Sequence, residues 1–183
     1  MVDRVDGRYR GVVERDPALI RDLVKPVLIS QINQPSEGLR RESAKALGKL
    51  GVKDAQDLLL TKLKSDPSDG VKIQALDALV SLNSDKLGEA VSSAMKDRSQ
   101  SVRVAGLSYL AELDLPTDQK LQLLTDIIQN QTVPEKQVAL LTLAGLEGSH
   151  SFPVWKTFLS DFEAGKMPEA TWIELEEAIE QTG

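Results

Sequence analysis

Cysteine is absent from these 183 residues, histidine occurs once, and aromatic residues make up 4% of the chain. Without cysteine there are no disulfides and no thiolate metal sites, and the redox compartment stays open. A single imidazole, His150, cannot build a two-histidine metal site, and no carboxylate cluster stands beside it at ligand spacing. Long apolar runs are missing as well. No stretch approaches the roughly 20 residues a membrane span needs, so membrane insertion is not expected. Nor is there a surplus of cations: 22 Lys and Arg against 28 Asp and Glu leave a formal charge of −6. That balance argues against general nucleic-acid binding, where phosphate contacts need clustered cations. Strand-favouring runs are nearly absent too.

What the chain has is one helical pattern repeated four times. Aligned on the last large apolar residue of each copy (Leu50, Leu82, Leu113 and Leu146), the copies are 32, 31 and 33 residues apart. Three positions upstream stands leucine in every copy: Leu47, Leu79, Leu110 and Leu143. Seven upstream is always small: Ser43, Ala75, Gly106 and Ala139. Ten upstream is always a cation: Arg40, Lys72, Arg103 and Lys136. Eleven upstream come Leu39, Val71 and Val102, with Glu135 breaking the series. A period of this size predicts a solenoid, in which each unit is too small to hide its own apolar face and stacks on its neighbours. With so few aromatics the core must be leucine, alanine and valine.

The repeated words resemble a known family. In PSEGLRRESAKALGKLG (Pro35 to Gly51), the residues Arg40, Ser43, Ala44, Ala46, Leu47, Gly48, Leu50 and Gly51 match the second helix of a short HEAT repeat. The copy from Pro67 keeps Val71, Ala75, Ala78, Leu79 and Leu82, the third places Tyr109 where alanine is expected, and the fourth is the most degenerate. The resemblance covers residues 16–150. It implies an all-α fold, an α-solenoid of about five stacked antiparallel helix pairs, whose second helices line the concave face. It also implies that the cation of each repeat bonds to an acidic or backbone group of the neighbouring turn.

Punctuation follows the same schedule. Residues 1–15 form a charged leader, either flexible or the remnant of a preceding domain. Helix is expected from Asp16-Pro17, with Asp16 as cap and Pro17 at the first helical position. Its apolar face is Leu19, Ile20, Leu23, Val24, Val27 and Leu28, and Pro26 should kink it. Ser36, Asp66-Pro67-Ser68, Asn83-Ser84-Asp85, Asp97-Arg98-Ser99, Pro116-Thr117-Asp118 and Pro134-Glu135 supply the later starts and breaks. Residues 16–150 thus hold four repeats. Residues 151–183 hold a divergent helix pair, read as a cap, with Phe152, Trp155, Phe158, Leu159 and Phe162 on one face and Trp172, Ile173, Leu175 and Ile179 on another.

No constellation asks for catalysis. His150 lies in a loop between repeats, the carboxylate pairs Glu176-Glu177 and Asp66 with Asp69 fall on turns or solvated faces, and no Cys-x-x-Cys-His haem site exists. No cofactor is called for. Helical-repeat hydroxylases hold iron through repeated His-Glu pairs, and none is present. The expected partner is a protein, met on the second helices at positions outside the apolar register. Arg41, Lys45 and Lys49 make that face basic at one end, and Ile73, Val104 and Leu141 make it more apolar toward the other. Exposed apolar positions rimmed by polar ones often mark such sites.

A second likeness bears on context. Glu163-Ala164-Gly165-Lys166-Met167-Pro168 followed by Glu174-Leu175-Glu176-Glu177-Ala178 resembles the end of the HEAT segment in large exported bacterial proteins. These carry a glucose/sorbosone-dehydrogenase-like propeller before the repeats and often a cytochrome c domain after them. The resemblance implies a periplasmic or exported parent whose catalysis resides outside this chain. The start, Met1-Val2-Asp3-Arg4, does not read as a secretory signal, so an exported parent would make this chain an excised piece; otherwise a cytoplasmic location is expected. The primary expectation is a non-enzymatic scaffold, and the alternative is a segment linking those two domains. After chelation and dialysis, elemental analysis of the purified chain should show no stoichiometric transition metal; a one-to-one ratio would overturn the reading.

Overall fold

The computed structural model describes residues 17–146 and 152–182. The charged leader, Asp16 and His150 lie outside the described residues. Among those described, all regular structure is helical. Five pairs follow one another: α1 (Pro17–Gln31) and α2 (Glu37–Lys49), α3 (Gln56–Ser65) and α4 (Asp69–Ser81), α5 (Leu87–Met95) and α6 (Gln100–Ser108), α7 (Thr117–Asn130) and α8 (Val133–Ala144), α9 (Phe152–Glu163) and α10 (Trp172–Thr182). The expected α-solenoid is what forms.

The second helices stack in series, α2 on α4, α4 on α6, α6 on α8 and α8 on α10. Their starts share a signal. Ser36, Ser68, Ser99 and Thr132 stand at the N-cap of α2, α4, α6 and α8, each 14 positions before the closing leucine. Ser36 and Ser68 accept the amides of Leu39 and Val71, which would otherwise lack partners in the first turn. The first two repeats also stop alike. Gly51 (φ 67°) and Asn83 (φ 45°) take the left-handed conformation one residue past the closing leucine. The next amides, of Val52 and Ser84, then reach back to the carbonyls of Leu47 and Leu79. The shared words of the last pair do the same work: Gly165 (φ 69°) lets the Lys166 amide return to Asp161.

Apolar positions of the repeat fill the core. Leu47, Leu79, Leu110 and Leu143 are fully or almost fully buried, and the small positions Ser43, Ala75, Gly106 and Ala139 are buried with them. The third repeat departs from the pattern. Asp114 follows its closing leucine in place of glycine or asparagine, and α6 gives way at Leu110–Glu112 to a 3₁₀ turn. The core divides at this point. One buried cluster runs from Ile32 to Val102, and a second from Leu107 to Ala178. First helices α3 and α5 pack together, whereas an open groove of 660 Å³ lies between α5, the 3₁₀ turn and α7.

Two glycines sit where helices nearly meet. A Cβ on Gly48 would lie 2.7 Å from the Ala78 Cα, and one on Gly106 would lie 2.7 Å from the Ala94 Cβ. Gly106→Ala should therefore force α5 and α6 apart and cost about 1–3 kcal/mol. Gly48→Ala should do the same to α2 and α4. Chemical denaturation of the two variants measures this; an unchanged midpoint would show that neither contact limits packing.

Candidate functional site

Three features of the surface and its supports bear on function: a ladder of ion pairs between repeats, the exposed side of the second helices, and the groove beside α5.

The ladder accounts for the repeated cation. Arg40 on α2 donates from Nε (2.8 Å) and Nη2 (3.0 Å) to the Asp66 carboxylate before α4. Its third arm donates to the carbonyls of Gln34 and Pro35. Lys72 on α4 reaches Asp97 before α6 at 2.7 Å. Arg103 on α6 reaches Glu135 on α8 at 2.7 Å and also donates to the carbonyls of Asp97 and Arg98. Each cation thus ties its repeat to the next. In the fourth copy, Asn130 stands where Asp66 and Asp97 stand in theirs, 16 positions before the closing leucine. Glu135 supplies the missing carboxylate from five residues later. Its place in the aliphatic series of Leu39, Val71 and Val102 is therefore a relocated partner for Arg103. The last cation, Lys136, donates to the Gln129 carbonyl. Asp66 and Asp97 also accept the amides of Ser68 and Ser99, so one carboxylate both pairs the cation and shapes the turn.

Two carboxylates of the ladder, Asp97 and Glu135, are held ionised. Burial pushes the Asp97 carboxyl up, but the Lys72 ammonium and the Ser99 amide outweigh it and leave it below the usual carboxylate range. The hydrogen bond from Arg103 lowers Glu135, against burial, with help from Thr132. Tyr109, the residue in place of the expected alanine, donates its hydroxyl to Asp77 at 2.8 Å across the α4–α6 boundary. Burial and the Asp77 carboxylate raise its pKa to about 12.

The expected partner residues occupy matched positions on successive second helices. Arg41, Lys45 and Lys49 are all exposed on α2. Arg41 and Lys45 flank Glu42 at 3.6 and 3.9 Å, both pairs lying in solvent, so each is worth little to stability. Lys49 has no carboxylate within 4.0 Å among the described residues. Leu141 is exposed on α8. Ile73 and Val104 are half-buried, and Ile73 packs against the core, so the middle of the face offers less apolar surface than the sequence suggests. Asp77, on the same face, is occupied by Tyr109.

The apolar register of the repeats does not point to the groove. Leu87, Met95, Leu110, Leu113, Leu115 and Leu123 line it, with Asp85, Glu112 and Asp114 on its polar rim and Lys96 opposite in charge. Its signal was present in the break of spacing after Tyr109, where the left-handed stop is lost. Among the described residues no group of three or more His, Asp or Glu could hold a metal, and no helix is long and apolar enough to cross a membrane.

A family model for HEAT repeats matches residues 18–79 and again residues 57–144. The chain belongs to the HEAT-repeat family. No curated protein matches it. HEAT repeats are helical-repeat scaffolds, typically non-enzymatic, and they commonly mediate protein interactions.

Because Asp97 is held below its ordinary 3.8, the folded state binds fewer protons than the unfolded chain as acid is added. Its contribution is complete above the ordinary carboxylate range and is lost as pH falls through the depressed value. Asp97→Asn leaves the Lys72 ammonium buried without its counter-charge and should cost about 2–4 kcal/mol at neutral pH. It should also flatten the loss of melting temperature between about pH 5 and pH 3. Calorimetry across that range checks both; a parallel loss in variant and wild type would remove Asp97 from the acid response.

Proposed function

We propose that this HEAT-repeat chain is a non-enzymatic scaffold that binds an acidic protein partner along the exposed side of its second helices. The observation that carries the reading is the run of Arg41, Lys45 and Lys49, four residues apart and all in solvent on α2. None is committed to the inter-repeat ladder, which uses Arg40 instead. Clustered exposed cations act mainly on encounter: they raise the association rate of an acidic partner and give it a strong salt dependence. Leu141, exposed on α8, gives the far end of the face an apolar contact. In this reading 17–146 are the binding repeats and α9–α10 the terminal pair, and no cofactor takes part.

A second reading makes the chain a rigid spacer between neighbouring domains of an exported dehydrogenase-like parent. It rests on the likeness of residues 163–178, which build the α9–α10 turn and the acidic outer side of α10. The two readings separate experimentally. Lys45→Glu with Lys49→Glu should leave helicity and melting temperature at wild-type values. At low salt it should slow association with a partner recovered by the wild-type chain by about tenfold, and the gap should close as salt rises. Association unchanged at low salt would leave the three cations as solvation alone.

A further inference from the structure

The groove beside α5 belongs to the layer of first helices, away from Arg41, Lys45 and Lys49 on α2. Its floor is the buried Leu110, and its walls are the half-buried Leu87, Met95, Leu113 and Leu115 with Leu123, which is 42% exposed. Leu123 is out of step with the buried positions of α7, Leu121, Leu124 and Ile128, and faces the groove instead of the core. The α5 wall carries little bulk. Gly88 and Ser92, one turn apart, both line the groove and are exposed. A Cβ on Gly88 would meet nothing within 4 Å, so no close approach of helices calls for glycine there, unlike at Gly48 and Gly106. What the missing side chain leaves is width. Along α5 the lining runs from Asp85 to Lys96, about 16 Å or three helical turns.

The two mouths of the groove differ in charge. Asp85 precedes α5 and Lys96 follows it. A short connection sends α6 back along α5, so the 3₁₀ turn that ends it brings Glu112 and Asp114 to the Asp85 end. Neighbouring cations are already engaged: Lys86 pairs with Asp57, and Lys120 donates to the Ala111 carbonyl. Asp85, Glu112 and Asp114 are exposed and form no ion pair among the described residues. Three carboxylates thus rim one mouth of an apolar groove with no cation paired to them, and their field attracts positive charge.

We propose that the groove between α5 and α7 binds an amphipathic helix of a partner protein. The helix sets its apolar face on Met95, Leu110 and Leu123 and brings lysines or arginines to the end that meets Asp85, Glu112 and Asp114. Apolar residues three and four apart on such a helix are what a narrow apolar groove between two helices receives. The rim selects its charge: an acidic segment, a nucleic acid or an anionic lipid would set negative charge on negative charge, which costs affinity. This site is independent of the second-helix face and takes a partner of the opposite sign.

A displayed library of helical peptides about 16 residues long, panned on the full chain, tests this. The Met95 methyl lines the groove and reports binding there by carbon-13 methyl spectra, while Met167, between α9 and α10, serves as reference. Peptides that shift Met95 and leave Met167 unmoved should carry apolar residues three and four apart and lysine or arginine grouped at one end. Replacing those cations by glutamate in the best peptide should weaken its binding at least about tenfold at low salt, and the gap should narrow as salt rises. Asp85→Lys with Asp114→Lys, both at exposed positions, should keep the wild-type circular dichroism and melting temperature and show the same loss. The glutamate peptide makes the comparison on the wild type, whatever the double variant does to the fold. A library from which no peptide shifts Met95 would overturn the proposal, as would equal binding of the glutamate peptide. A Met95 methyl that answers to laurate and to no peptide would overturn it in favour of a small apolar ligand.

Discussion

At two places in this protein neighbouring helices must lie so close that one backbone nearly touches the other. Small residues make that approach possible: Gly48 against Ala78 between the first two repeats, and Gly106 against Ala94 inside the third. The distance so gained lets Arg40, Lys72 and Arg103 reach carboxylates of the following repeat. It also brings the buried leucines of adjacent repeats into two continuous clusters. Ion pairs in such places contribute less to net stability than their geometry suggests, since desolvation offsets most of the attraction. Their value here is positional. A cation that finds its carboxylate only when the next repeat is in step fixes how the repeats stack, while the leucines supply the cohesion.

The same requirement explains the irregular fourth copy. Once Asn130 stands in the acid position, Arg103 would be left beside a neutral turn. Glu135 restores the pair from the first turn of α8, where a carboxylate also suits the helix dipole and bonds the Thr132 amide. A break in one column of the repeat is thus a repair in another. The third copy shows the opposite case. Tyr109 keeps a contact across the boundary through Asp77, but without a left-handed stop the chain takes a longer path to α7. The first-helix layer opens there into a groove.

Much of this was legible in the residues themselves. The period near 32 gave the helix pairs. The invariant leucines and small residues named the core, and the hydroxyls at Ser36, Ser68, Ser99 and Thr132 mark the helix starts even where the apolar pattern is weak. These features are local or repeated, so one sequence states them several times over. What the sequence could not decide was which side of a helix stays uncovered. Leu19, Leu23 and Val27 have the same spacing as core residues, yet they stand exposed on α1. Ile73 and Val104 look like surface residues by register, yet neighbouring repeats half-bury them. Glu135 reads as a defect until Arg103 is beside it. Helix periodicity is set within the chain's own turns, whereas exposure depends on which repeat arrives next to it, and that is a property of the stacked structure alone.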